Sequence, residues 1–159
     1  FEVGALCEDF SLETHLVDVL DGVYNLPQIG YRVVHRLGSL TRRRSVNQFS
    51  RAYIAIIEAS DYVEKELVPR YPKLEVAARR FGLYERLDYM LHVPISQMNR
   101  KNEFYMQVLY YLRENKTAIR ENPYLAHRDR IYLTILSAAP VLVRRVHRVS
   151  MRLRGIKMK

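Results

Sequence analysis

The sequence predicts a mainly α fold, in which a short α/β piece, one helix plus one or two strands, is followed by a helical bundle. Three observations lead there. Apolar residues recur at helical spacing over most of the chain after residue 42. Extended character is concentrated in one Val-, Ile- and Tyr-rich stretch, "GVYNLPQIGYRVVHRLGSL". Prolines at 69, 72, 94, 123 and 140 separate the helical runs rather than interrupting them.

In chain order, Phe10, Leu12, Leu16, Val19 and Leu20 predict a helix over residues 10–21, stopped by Asp21-Gly22. The extended stretch contains Pro27 and Gly30, so it reads as one or two short segments of edge character ending at Gly38-Ser39. Phe49, Tyr53, Ile56, Ile57 and Val63 form a stripe on a helix over 45–68. Residues 73–92 predict a helix or a helix pair weakened at Gly82, and Phe104, Val108, Leu109 and Leu112 mark a helix over 100–114. "RENPYLAHRD" is a connector, because the residue before Pro123 disfavours helix. Helices over 131–138 and 141–153 complete the chain. The organisation expected is residues 1–42, 43–139 and a basic amphipathic helix and tail at 140–159.

A chain of 159 residues with 48% hydrophobic and 27% charged residues is globular in composition and long enough to bury a core. The single cysteine, Cys7, allows no internal disulfide and suits a reducing compartment. No apolar run approaches the roughly 20 residues that span a bilayer. The net charge of +9 is unevenly placed. Residues 128–159 hold nine Lys or Arg against the single acid Asp129, whereas residues 1–127 hold 17 bases and 16 acids. A charged end on a nearly neutral body suits contact with an anionic surface.

Glu8 and Asp9 stand side by side just ahead of the first apolar-periodic run. One reading is a helix cap, since a carboxylate accepts bonds from the unpaired amides of the first turn and meets the positive end of the dipole. The other is a general base, because a carboxylate kept ionised by that same dipole accepts a proton from an approaching hydroxyl. The two are compatible, as a capped helix start is also a rigid mount.

The surrounding forty residues add to this. Phe1, Gly4, Glu8 and Asp9, then "VYNLP", "YRVVHR" and Gly38-Ser39, follow one another in the order and spacing found around the acidic motif of family 2 glycosyltransferases, the nucleotide-sugar enzymes of the GT-A class, which the chain resembles. "NPYLAHRDRIYLTIL" and "APVLVRRVHR" are similar to the C-terminal region of bacterial members. The resemblance implies that residues 1–42 are the acceptor-side end of a GT-A-like catalytic domain. It makes Asp9 the base that deprotonates the acceptor hydroxyl, and Glu8 the neighbour that positions the acceptor. His35, Arg36 and Ser39 fall where family members have a loop near the donor diphosphate. Strand alternation sets Arg36 opposite His35, which ranks His35 first, and a surface strand residue or a simple Gly-Ser turn accounts equally for these positions.

The resemblance also implies partners and a cofactor: a nucleotide-sugar donor, a saccharide or lipid-linked acceptor, and Mg or Mn in the full-length enzyme. The family's nucleotide-binding half carries an Asp-x-Asp motif, and neither that motif nor a Gly-rich phosphate loop occurs here. Phe1 falls where that half should already have finished. The expectation is therefore a C-terminal portion that binds no metal and shows no transferase activity by itself, working in bacterial surface polysaccharide synthesis, in the cytoplasm or peripherally at the inner face of the membrane. An assay of UDP-sugar transfer or hydrolysis with Mg or Mn checks this against an Asp9→Asn control. The apolar faces at Leu12, Leu16, Val23, Ile29 and Val33 would need cover from the helices or from a second copy, so self-association is expected.

In the tail, Leu142, Val146, Val149, Leu153 and Ile156 form an apolar line, with Arg144, Arg145, Arg148 and Arg152 largely off it. Three roles compete: a helix packed on the body with its arginines solvated, an interfacial helix on anionic lipid, or a phosphate-binding nucleic-acid contact. Few base-reading side chains and no helix-turn-helix or zinc spacing argue against nucleic acid. A non-enzymatic basic helical module that binds an anionic membrane surface or a protein is the alternative to the transferase. His15, His92, His127 and His147 are scattered without zinc spacing. Cys7 reads as a small buried apolar residue, and tyrosines such as Tyr105, Tyr110 and Tyr111 as helix packing.

Overall fold

The computed structural model describes residues 8–17, 19–22, 24, 27 and 51–153, and among these the chain is helical, with no strand. The order is α1 (Glu8–Leu16), α2 (Ala52–Tyr62), α3 (Glu75–His92), α4 (Glu103–Glu114), α5 (Lys116–Glu121), α6 (His127–Ala138) and α7 (Pro140–Leu153). The helical bundle expected after residue 42 is present. The one or two strands expected between Gly22 and Gly38 fall almost wholly outside the described residues.

The central element is α3, which packs against α2, α4, α6 and α7. Its buried Leu83, Leu87 and Met90 meet Ile57 of α2, Val108 and Leu112 of α4, and Leu133 and Leu136 of α6. On α4 the expected stripe is buried at Val108, Leu109 and Leu112. The Asn102 side chain caps this helix by accepting from the Tyr105 amide at 3.1 Å. Pro140 opens α7, where its missing N–H costs nothing and its fixed φ suits the first helical position.

Several boundaries differ from the sequence expectation. The first helix ends at Leu16, not at Asp21, because the amides of Val19 and Leu20 both turn back to the Leu16 carbonyl, at 3.0 and 3.1 Å, and close it. The helix expected over 45–68 is α-helical over Ala52–Tyr62 and continues as a π-helical turn, Val63–Leu67. Residues 73–92 form one helix, not a pair: a 3₁₀ turn, Pro72–Leu74, leads into α3, and Gly82 lies buried in mid-helix. The helix start expected at 131 moves to His127, inside the connector. That connector is held by buried Asn122, which donates to the Val76 carbonyl at 2.8 Å, accepts from the Tyr124 amide at 2.9 Å, and offers its own carbonyl to Arg130 at 2.7 Å.

Candidate functional site

The acid pair opens α1. Glu8 and Asp9 are the first two residues of α1 among the described residues, so both lie within the helix rather than ahead of it. Acids there still meet the positive end of the helix dipole. The helix is seated on the bundle by its last turn, where the His15 ring stacks on Tyr62 of α2 with centroids 4.5 Å apart and planes 21° from parallel. His35, Arg36 and Ser39 lie outside the described residues, as does Cys7. Among the described residues no group of three or more His, Cys, Asp or Glu side chains is placed to hold a metal ion.

A partly buried polar network that the sequence did not announce ties α2, α3 and α4 together. The Tyr111 hydroxyl of α4 donates to Glu64 Oε1 in the π-helical turn, and Arg79 Nη1 donates to Glu64 Oε2 at 2.8 Å. Arg86, buried, donates to Asp61 Oδ1 at 2.5 Å and to the Gly82 carbonyl at 3.1 Å. Its guanidinium lies 3.6 Å from the centroid of the Tyr111 ring, a cation–π contact away from solvent. Burial first, then the bond to the Glu64 carboxylate, holds the Tyr111 phenol well above its usual range. Two carboxylates and two guanidiniums balance in charge, so the network holds the three helices in one arrangement without an unpaired ion. Spacing could not reveal it, since Glu64 and Tyr111 are 47 residues apart.

A polar cavity of about 310 Å³ opens between α3, α6 and α7, lined by Tyr84, Asp88, Asp129, Tyr132, His147 and Ser150 among others. Asp88 Oδ1 stands 3.0 Å from His92 Nδ1. On the same helix, burial, and then the Asp88 carboxylate, push the Glu85 carboxyl up from 4.5 to about 7. The folded state thus binds this proton more tightly than the unfolded chain does. Its contribution to stability is complete below pH 4.5 and is lost as pH rises through about 7. Glu85→Gln is therefore expected to raise stability at pH 8 by about 1 kcal/mol, discounted for partial solvent access, and to change little at pH 4. Urea unfolding midpoints at the two pH values check this.

The tail helix is turned differently from the sequence expectation. Arg144 does not belong to the exposed cationic face: it is 8% exposed, and its Nε donates to the Val93 carbonyl at 3.0 Å. Burial, with Arg148 nearby, lowers its pKa. A carbonyl 51 residues away decides its orientation, and helical spacing alone carries no sign of that. Arg145 and Arg148 are exposed as expected. Arg152 lies in the last turn of α7, and its side chain is outside the description. The apolar line itself is exposed at Leu142, Val146, Val149 and Leu153, and α7 packs on α3 and α6 through its other face, at Val143, Arg144 and His147. No helix among the described residues is long and apolar enough to cross a membrane.

No family model, curated protein or solved structure matches the chain.

Proposed function

We propose that this chain is the acceptor-side and C-terminal portion of an inverting family 2 glycosyltransferase, one that transfers a sugar from a nucleotide-sugar donor to a saccharide or lipid-linked acceptor in bacterial surface polysaccharide synthesis. The observation that carries the reading is the acid pair opening α1, within an ordered run of family-like residues from Phe1 to Ser39. In this reading residues 1–42 are the end of a GT-A-like α/β domain, with α1 as its helix and one or two strands after it, and the bundle follows.

The chemistry assigned to the pair is a single displacement. The Asp9 carboxylate takes the proton of the acceptor hydroxyl as that oxygen bonds to the anomeric carbon. The bond from that carbon to the donor phosphate breaks, the nucleoside diphosphate leaves with the electron pair, and the configuration inverts. Glu8 orients the acceptor, and the resemblance assigns His35, Arg36 and Ser39 to the loop that meets the departing diphosphate. A divalent Mg or Mn ion would stabilise the charge on that diphosphate and, as the family resemblance implies, would be held by the Asp-x-Asp of the nucleotide-binding half.

The test is transfer from a UDP-sugar to a saccharide or lipid-linked acceptor by the chain joined to its nucleotide-binding half, with Mg or Mn present. Wild type is expected to turn over and Asp9→Asn to fail. Full turnover by Asp9→Asn overturns the assignment and leaves the non-enzymatic helical module, in which the acids only stabilise a helix start.

A further inference from the structure

The two faces of α7 are set by what lies under it. Val143 and Arg144 are buried, and the ring of His147 meets Tyr132 and His92 edge-on at 6.3 and 6.5 Å. Arg144, bonded to the Val93 carbonyl beyond the end of α3, pins the rotation of the helix. At 100° per residue, this anchor forces Leu142, Val146, Val149 and Leu153 outward, where they are 60%, 60%, 55% and 84% exposed. They make one ridge, about 16 Å long. Arg145 lies beside it and Arg148 further round the same side, both exposed and without an ion-pair partner among the described residues.

We propose that this face docks on an anionic lipid bilayer, with α7 lying in the plane of the headgroups, the ridge at the acyl boundary and Arg145 and Arg148 at lipid phosphates. The inference does not depend on sugar transfer. Charge selects the occupant. The segment of this chain from residue 22 to 57 has no acid and contains Arg32, Arg36 and the run Arg42, Arg43 and Arg44, so it offers the arginines no counterpart. A second copy apposed through the same face would gather the same arginines from both chains at one interface. An anionic surface complements them, and the remaining bases at Arg152, Arg154, Lys157 and Lys159 add to the attraction. Four aliphatic side chains are a weak anchor alone, so binding should need both the ridge and the anionic lipid.

Co-sedimentation of the chain with vesicles of phosphatidylcholine, with or without about one-third phosphatidylglycerol, reads this out. Wild type is expected to bind the phosphatidylglycerol vesicles at least about ten-fold better than phosphatidylcholine alone, and less as salt rises. The double variant V146D/V149D is expected to lose about ten-fold or more on the same vesicles. R145Q/R148Q is expected to lose roughly twenty-five-fold, near five-fold per arginine. All four positions are exposed, so unchanged helical circular dichroism and thermal unfolding show that each variant folds. Three results overturn the proposal: no binding by wild type, wild-type binding by V146D/V149D, or a dimer in light scattering that V146D/V149D dissolves.

Discussion

Gly82→Ala should destabilise the bundle by about 2 kcal/mol, although alanine is the better helix former. In mid-helix the exchange normally stabilises by about 0.5–1 kcal/mol. Here a Cβ would stand 2.5 Å from Glu64 Oε1, 2.6 Å from the Tyr111 hydroxyl and 3.3 Å from Arg86 Nη1. Those atoms are ends of side chains, but none is free to swing away. Glu64 is held by Arg79 and Tyr111, while Arg86 is held by Asp61 and the Gly82 carbonyl. Displacing them breaks charge-assisted hydrogen bonds worth about 1.5–3 kcal/mol each, and two such losses outweigh the helix propensity. The lost contacts join α2, α3 and α4, so cooperativity should fall with stability. Chemical unfolding should show a lower midpoint for Gly82→Ala and a smaller drop for Tyr111→Phe, which removes the hydroxyl and keeps the ring under Arg86. An alanine variant as stable as wild type would mean that the network yields without loss.

The same glycine shows where sequence reading stops. Period and punctuation carry the helices, because an apolar stripe must be buried whatever lies opposite it: Val108, Leu109 and Leu112 are at once a spacing in the sequence and a buried face of α4. Proline at 140 and asparagine at 102 mark helix starts by local chemistry. Gly82 looked like a weak point in a helix, yet it is the space into which groups from two other helices reach. No local rule contains that information.

The rotation of α7 was hidden for the same reason. Its amphipathic line is plain in the sequence, but which side of the helix meets the body is not. What decides the matter is the pair of hydrogen bonds from Arg144 to the Val93 and His92 carbonyls, between elements far apart in sequence. The three-methylene stem of an arginine buries easily, and the carbonyls at the end of α3 draw its head inward. The acid pair is the converse case. Its place beside a helix follows from neighbouring residues alone, and α1 includes Glu8 and Asp9, two residues before the apolar period marks it.

Asp9→Asn separates the two roles of that carboxylate by magnitude. Were Asp9 only a favourable charge in the first turn of α1, its neutralisation would cost about 0.3–1 kcal/mol of helix stability and leave any activity intact. As the base in transfer it has no substitute, because an amide accepts no proton at neutral pH. General-base loss costs about 10²–10⁴ in rate, or about 2.7–5.5 kcal/mol in activation free energy. On the proposed reading, kcat of the chain joined to a nucleotide-binding half should therefore fall by about that factor, while KM for the nucleotide sugar stays near wild type, since that reading assigns the donor to the other half. The amide is isosteric, so circular dichroism should match wild type. Glu8→Gln, which weakens acceptor positioning only, should raise KM for the acceptor about ten-fold with a smaller effect on kcat. A rate loss in Asp9→Asn that tracks the fraction unfolded would assign the acid to stability; a rate loss in a fully folded enzyme assigns it to the proton.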